Sequence, residues 1–147
     1  MADAPVVFAT VAVAAILDLR HRVLRAGRPF ESARFEGDDA DTTRHYAALL
    51  DGEAVACLTL MAAAWEGRDA WQLRGMATSA RHRRLGIGTR LVRHALADID
   101  GIACMRPMWC NARIAVIDFY RHLGWTVVSE PFDIAGIGPH VTMLRRA

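Results

Sequence analysis

The sequence predicts an α/β (α+β) fold: a single mixed, mostly antiparallel central sheet with helices on both faces. Its 147 residues contain no internal repeat, low-complexity tract or linker, which favours a single domain spanning 1–147. Hydrophobic residues make up 53% and charged residues 23%, so a disordered chain is excluded. Strand and helix patterns alternate along the chain, in an order that is typical of a sheet covered by helices.

The first predicted elements are a strand over residues 6–11 and a helix over residues 12–23. The strand is rich in β-branched residues. Apolar residues then recur at helical spacing until Gly27 and Pro29 end the helix. The polar segment that follows, as far as Thr43, predicts a loop.

Three strands are predicted next, as an antiparallel meander. An Asp-Gly pair at 51–52 stands between apolar runs at 45–50 and 53–63, which is a strong hairpin pattern. The run over residues 70–78 predicts the third strand. Gly75 lies inside this strand, where glycine often marks a bulge or the close approach of a ligand.

The second half of the chain predicts two helices and three strands. Apolar residues at helical spacing predict a helix over 87–99, and a strand is expected over 103–110. Asn111 is a good N-cap and predicts the start of a second helix, which Gly124 would end. The two closing strands are predicted at 125–129 and 140–144.

The segment from Arg83 to Thr89 joins the third strand of the meander to the next helix. Gly86 and Gly88 allow the backbone to turn tightly and to approach a ligand closely. Unpaired amides at the helix start, together with arginines, predict a pyrophosphate site. The segment lacks the lysine of a nucleotide triphosphatase loop and does not match the dinucleotide pattern G-x-G-x-x-G. The alternative from these residues alone is a solvated basic turn.

This pattern and its context resemble the GNAT superfamily of N-acetyltransferases from about residue 45 to the C-terminus. Residues 73–78 are similar to the family's fourth strand, with its bulge before the acyl-CoA loop. Residues 139–143 resemble the closing strand of a small bacterial branch. The other matching positions are the Arg-x-x-Gly-x-Gly run at 83–88, Asn111-Ala112-Arg113, Ala115, Tyr120 and Gly124-Trp125.

The resemblance implies that the chain uses acetyl-CoA as its acyl donor. The backbone of Met76, Ala77 and Thr78 would pair with the pantetheine arm and polarise the thioester carbonyl. Asn111 would contact the pantetheine or help order that wall of the site. The pyrophosphate would be held by Arg83, Arg84, Gly86, Ile87, Gly88 and Thr89.

The resemblance also implies direct attack of an amine on the acetyl carbon, with no covalent enzyme intermediate. Tyr120 would be the acid that protonates the departing CoA thiolate, since a phenol keeps its proton at neutral pH. Without the motif around it, the favoured interpretation of Tyr120 would be an ordinary buried aromatic residue beside Phe119.

The base that accepts the proton of the amine is left open by the sequence. Members of the family often place a glutamate on the fourth strand, but Gln72 and Arg74 occupy this stretch here. His140 and His45 are candidates, because the ordinary pKa of histidine suits proton transfer near neutral pH. A water relay is the alternative.

The acceptor pocket is expected to draw on the loops at 28–41 and 130–139. Acidic residues in these loops would attract a cationic amine, or alternatively only solvate the loops. They are Glu31, Glu36, Asp38, Asp39, Asp41, Glu130 and Asp133. The expected partner is therefore a small-molecule or peptide amine.

Charge and composition bear on two other classes of function. The net charge is +2 and all 18 basic residues are arginine. This modest charge, without an aromatic platform, disfavours nucleic-acid binding through the arginines near residues 81–93. An acetyl-CoA-binding regulatory module without turnover is the alternative function. A homodimer is possible, since dimers are common in the family.

Cysteine spacing and the length of apolar runs give expectations for metal sites and cellular location. Three cysteines without C-x-x-C spacing predict buried thiols rather than a disulfide framework or a metal site; they are Cys57, Cys104 and Cys110. No apolar run reaches about 18 residues and no basic segment precedes the first one, so we expect neither membrane insertion nor a signal peptide. The expected location is the cytoplasm.

Overall fold

A computed structural model of the chain describes residues 5–102 and 106–146, in which eight strands and three α-helices are found. The helices are α1 (Leu17–Leu24), α2 (Ile87–Ile102) and α3 (Ile117–His122). The strands are β1 (Val6–Val11), β2 (Arg44–Leu50), β3 (Glu53–Ala62), β4 (Trp71–Thr78), β5 (Met108–Arg113), β6 (Thr126–Val127), β7 (Phe132–Ile134) and β8 (Gly138–Arg145).

The strands form one mixed sheet in the order β1-β2-β3-β4-β5-β8-β6, with β7 paired to β8. All the pairs are antiparallel except β4 with β5, which run parallel. The predicted meander of three antiparallel strands is confirmed as β2-β3-β4. Asp51 and Gly52 have φ angles of 51° and 81°, the left-handed conformation that a tight hairpin turn requires.

Helices cover both faces of the sheet, as predicted. Alternate residues of β2 point to opposite sides, so Tyr46 and Ala48 join one apolar cluster and Ala47 joins another. The first cluster includes the buried face of α2, and the second includes Leu19 of α1. The buried residues of α2 in the first cluster are Ile87, Leu91, Val92, Ala95 and Ile99.

The bulge predicted at Gly75 is confirmed. Cys57 pairs with Ala77 and Thr59 pairs with Arg74, so three steps on β4 match two steps on β3. Gly75 has a φ of 60°, and a Cβ placed on it would lie 3.1 Å from Arg20 Nε. The bulge therefore needs a glycine, both for its backbone conformation and for the close approach of Arg20.

The prediction that Asn111 caps a helix is wrong. Asn111 lies in β5 opposite Thr142 of β8, whose hydroxyl donates a hydrogen bond to Asn111 Oδ1 at 3.1 Å. Pairing with β8 satisfies the backbone as far as Arg113, so a cap is not needed there. A 3₁₀ turn over Ile114–Val116 follows, and α3 begins only at Ile117.

Smaller differences from the predictions concern the ends of the sheet. The strand expected over 103–110 is observed from Met108, while residues 103–105, Cys104 among them, lie outside the described residues. The strand expected over 125–129 covers only Thr126–Val127, and β7 was not predicted. Within the described ranges, no helix combines the length and the apolar character that crossing a membrane requires.

Candidate active site

The central feature of the sheet is a gap between β4 and β5. The two strands pair only at Trp71 with Met108 and at Gln72 with Trp109, and they diverge from there. From Leu73 onward, β4 therefore lacks a strand partner on this side among the described strands. The gap opens into a cleft with a volume of about 860 Å³. The backbone N–H and C=O groups of β4 that face the cleft are available to an extended ligand, in the way that a sheet edge accepts another strand.

Most of the predicted site residues lie together in this cleft. It is lined by Met76, Ala77, Thr78, Arg83, Arg84, Gly88, Asn111, Tyr120 and His140. Gly86, Ile87 and Thr89 do not line it but stand at the start of α2, where the Arg90 amide donates to the Gly86 carbonyl at 3.1 Å. The side chain of Ile87 packs in the core, so only its backbone faces the turn.

The turn before α2 has the features of an anion site. Arg84 and Gly86 have φ angles of 63° and 77°, and the side chains of Arg83 and Arg84 are exposed. Arg83 Nε donates to the Thr78 carbonyl at 3.4 Å, which keeps this arginine beside the end of β4. The first amides of α2 have no intrahelical acceptor, so this turn can bind an anion with backbone and side chain together.

Gly88 keeps the cleft open where α2 passes between β4 and α3. A Cβ on Gly88 would lie 3.2 Å from the methyl carbon of Met76 and 3.5 Å from Phe119. Any larger side chain at this position would push against both neighbours and narrow the cleft.

Tyr120 is a buried phenol at the wall of the cleft. The residue is 4% exposed, and its ring packs edge-on against Phe119 at 5.1 Å and at a tilt against Trp125 at 5.3 Å. Burial, with a smaller effect of the Cys110 thiol, raises the pKa of Tyr120 well above its ordinary value. Tyr120 therefore keeps its proton throughout the neutral range.

One ring nitrogen of His140 is engaged in a hydrogen bond to the backbone, and the other keeps a free lone pair. The residue is buried at the wall of the cleft, and its ring stacks on Phe132. Its Nδ1 lies 2.8 Å from the Gly138 carbonyl, which can only accept a hydrogen bond. Nδ1 therefore carries the proton in the neutral ring, and Nε2 is the atom that can accept one.

His45, the other candidate base, does not line the cleft. Its Nε2 lies 3.0 Å from the Asp38 carbonyl and so donates to it, while Nδ1 accepts from the Thr59 hydroxyl at 2.8 Å. Both ring nitrogens are thus occupied in a buried network. His45 therefore joins β2 to Thr59 of β3 and to the loop that contains Asp38, and it has no place at the cleft.

The centre of this network is Arg20, which the sequence analysis did not identify. Arg20 is completely buried and donates to both carboxylate oxygens of Asp38, at 2.7 and 3.0 Å. It also donates to the Thr59 hydroxyl at 2.6 Å and to the Ala33 carbonyl at 3.0 Å. Burial alone would raise the pKa of Asp38, but the hydrogen bonds from Arg20 and the Phe35 amide outweigh it and lower the pKa. The ion pair ties the loop between α1 and β2 to α1, and the hydrogen bond to Thr59 ties Arg20 to the sheet.

The acidic residues expected in the acceptor pocket are not found in the cleft. Asp38 is paired with Arg20, and the other six side chains of that set are exposed on the loops. From those two loops the cleft receives Phe35, Ile134 and Ile137. Of the two alternatives left open by the sequence, solvation of the loops agrees with the structure.

Comparisons with known proteins agree with this architecture. Residues 13–125 match the sequence profile of the acetyltransferase (GNAT) family. An uncharacterized N-acetyltransferase of Bacillus subtilis (strain 168), YitI, is 34% identical over 142 residues, covering 92% of this chain and 93% of that protein. The crystal structure of Escherichia coli ElaA is similar with a TM-score of 0.82 and 19% identity, covering 97% of this chain and 100% of the other. An aminoglycoside 6′-N-acetyltransferase complexed with coenzyme A gives a TM-score of 0.75 at 15% identity, with 95% and 96% covered.

Proposed function

The chain belongs to the acetyltransferase (GNAT) family of N-acetyltransferases, and we propose that it transfers an acetyl group from acetyl-CoA to a primary amine of a small molecule or peptide. One observation carries the proposal: the unpaired edge of β4, the arginine-glycine turn before α2 and the buried phenol of Tyr120 share one cleft. An extended donor with a phosphorylated end and a reactive thioester needs these three features together.

The donor would lie along β4. The backbone of Met76, Ala77 and Thr78 would hydrogen-bond its pantetheine amides, because these strand groups are not used by β5. The pyrophosphate would rest on Arg83, Arg84 and the first amides of α2, including those of Gly86, Ile87, Gly88 and Thr89. Asn111 lies on the opposite wall, where its amide group would contact the pantetheine arm.

The proposed chemistry uses two titratable groups of the cleft, His140 and Tyr120. An alkylamine with an ordinary pKa near 10.4 is less than about 0.1% neutral at pH 7, so a base has to accept its proton. Nε2 of His140 would accept it, directly or through one water, and release it to solvent. The neutral nitrogen then attacks the acetyl carbon, the N–C bond forms and the C–S bond breaks. Tyr120 donates its proton to the departing sulfur, and the second proton that the nitrogen loses on becoming an amide restores Tyr120.

The raised pKa of Tyr120 is compatible with this role. A weaker acid is a poorer donor, unless the thiolate that it protonates is also destabilised. Cys110 lies at the same cleft, and burial raises the pKa of its thiol to about 12. A sulfur anion formed there would meet the same desolvation, so the proton affinities of the donor and acceptor rise together.

The two tyrosines of the chain allow a matched test. Tyr120→Phe removes only the hydroxyl at the cleft, whereas Tyr46→Phe makes the same change at a phenol that donates to Asp98 at 2.6 Å. We expect Tyr120→Phe to lower kcat by about 10²- to 10⁴-fold, with little change in the affinity for acetyl-CoA. Tyr46→Phe should retain the kcat of the wild type. The readout is the release of free CoA thiol, with acetyl-CoA affinity measured by calorimetry.

Three outcomes would count against parts of the proposal. An unchanged kcat in Tyr120→Phe would remove that residue from the acid role. Parallel rather than intersecting double-reciprocal plots would indicate an acetylated enzyme instead of direct attack in a ternary complex. Binding of acetyl-CoA without transfer to any amine in a broad panel would favour the regulatory module.

A further inference from the structure

The cleft also has a cationic wall beside the end of α1. Arg25, Arg74 and Arg113 line it, and we call these three residues the arginine cluster. Arg74 is separate from Arg83 and Arg84, since it precedes the end of β4 by four residues, or about 13 Å of extended chain. Among residues 5–102 and 106–146, no aspartate or glutamate lines the cleft.

The members of the cluster lie close enough to repel one another. Burial, followed by the charges of Arg28, Arg113, Arg74 and Arg20, lowers the pKa of Arg25. The Cζ atoms of Arg25 and Arg74 each lie 5.1 Å from the centre of the Phe35 ring, and that of Arg20 lies 4.2 Å from it. Phe35 thus holds three guanidinium groups around one ring at the wall of the cleft.

None of these three guanidinium groups forms an ion pair in the part of the chain that the structure describes, and only Arg74 is influenced by nearby carboxylates, those of Asp38 and Glu36. Arg25 donates to the Leu24 carbonyl at 3.0 Å, and Arg74 donates to the Glu36 carbonyl at 3.1 Å; both acceptors are neutral. The ion pairs found there leave Arg25, Arg74 and Arg113 unpaired. A guanidinium group does not lose its proton in a protein, so a bound anion would relieve the repulsion that remains among the three arginines.

The cluster lies at the side of the cleft where the candidate base is found. Arg113 is the direct partner of His140 in the β5-β8 ladder. An anion held by Arg113 is therefore placed beside the group that would accept a proton from the amine. Ile134 and Ile137 add apolar surface to the same cleft.

Building on the proposed function, we propose that the acceptor is a primary amine that also carries a carboxylate or phosphate group, and that Arg25, Arg74 and Arg113 bind this anionic group. The guanidinium fork suits both oxyanions, through paired N–H donors. An acceptor with an anionic group differs from the cationic amine that the acidic residues of the two loops predicted. A polyamine would bring a second positive charge to a surface that is already cationic, which costs binding energy.

A matched panel of acceptors tests the charge preference. The four compounds are 4-aminobutyrate, 3-aminopropylphosphonate, 4-aminobutanamide and 1,4-diaminobutane, with homologues one carbon shorter and longer. We expect kcat/KM for the two anionic compounds to exceed that of the amide by about tenfold or more, and the diamine to be poorest. Whichever of the carboxylate and the phosphonate has the higher kcat/KM identifies the preferred anion. Equal or better use of the amide or the diamine would overturn the inference.

Binding to the CoA-loaded enzyme separates this inference from the proposed function. Calorimetric titration of that complex with the same compounds requires no turnover. Tighter binding of the anionic compounds without acetyl transfer would refute the activity but keep the anion site. No preference for the anionic compounds in this titration would overturn the anion site, whatever the activity.

Arg113→Gln and Arg22→Gln give a matched pair of variants. Each removes one positive charge, but Arg22 lies exposed on α1, where it pairs with Asp18. We expect Arg113→Gln to raise KM for an anionic acceptor by about 10- to 100-fold and to leave KM for the matched amide and for acetyl-CoA unchanged. Arg22→Gln should change none of these values. If Arg113→Gln weakened acetyl-CoA binding as much as acceptor binding, Arg113 would be a binding residue for acetyl-CoA, and the inference would be overturned.

Discussion

Replacing Arg20 with methionine should destabilise the fold by about 3–5 kcal/mol at pH 7, because the change breaks a buried ion pair from one side. The size follows from the contacts of Arg20, which is 0% exposed and makes four hydrogen bonds, two of them to the carboxylate of Asp38. Without Arg20, Asp38 keeps the Phe35 amide as a donor at 2.7 Å but loses its counter-charge. For a chain of this length, the melting temperature should fall by about 6–20 °C.

The pH dependence of this loss identifies Asp38 as its cause. In the wild type the pKa of Asp38 is lowered on folding, so its stabilisation is fully present above its unfolded pKa near 3.9 and is lost only at lower pH. In Arg20→Met the burial of Asp38 remains, and burial raises the pKa of a carboxyl group. Acidification from pH 7 to pH 4.5 should therefore protonate Asp38 in the variant alone, and the deficit should shrink.

The assay is urea unfolding of the wild type and the variant at both pH values. Arg22→Met is the matched control, because it removes an arginine from an ion pair whose side chains are 54% and 79% exposed. Such exposed pairs contribute about 0.5 kcal/mol or less. The reasoning is refuted if Arg20→Met costs less than about 1 kcal/mol at pH 7, or if its deficit is the same at both pH values.

Three further predictions concern the cleft. The double variant Arg83→Gln, Arg84→Gln should weaken binding of CoA in calorimetry more than binding of pantetheine, and equal losses would contradict the phosphate assignment. Gly88→Val should raise KM for acetyl-CoA, because its Cβ would stand 3.2 Å from Met76; an unchanged KM would contradict the close approach. His140→Gln should lower kcat at saturating acceptor without changing acetyl-CoA binding, and an unchanged kcat would leave proton removal to water.

The elements that local patterns encode could be predicted from the sequence. The Asp51-Gly52 turn and the amphipathic pattern of α2 act within a few residues, and both were predicted correctly. Asn111 shows why other elements could not be predicted. Its preference for a helix start was overridden by pairing with Thr142, a residue 31 positions away. The short β7 depends on a similar long-range contact, because it exists only through pairing with β8.

Some residues of the candidate site could likewise be predicted from local sequence patterns, and others could not. The turn before α2 is a continuous segment, so its glycines and arginines could be recognised as one pattern. The arginine cluster comes from the end of α1, from β4 and from the end of β5, and no local spacing relates these positions. Arg20 was missed for the same reason, since its partners Asp38 and Thr59 are 18 and 39 residues away. In the sequence, Arg20 is one of 18 arginines with nothing to set it apart.

The exclusive use of arginine has a chemical consequence for an enzyme that handles an acetyl donor. A lysine at position 25, 74 or 113 would present an ε-amine beside the donor, and that amine would compete with the true acceptor for the acetyl group. Guanidinium groups resist this acylation, because they are not deprotonated at working pH. The walls of the cleft can thus stay positively charged through many turnovers, and the protein has no lysine side chain on which it could modify itself.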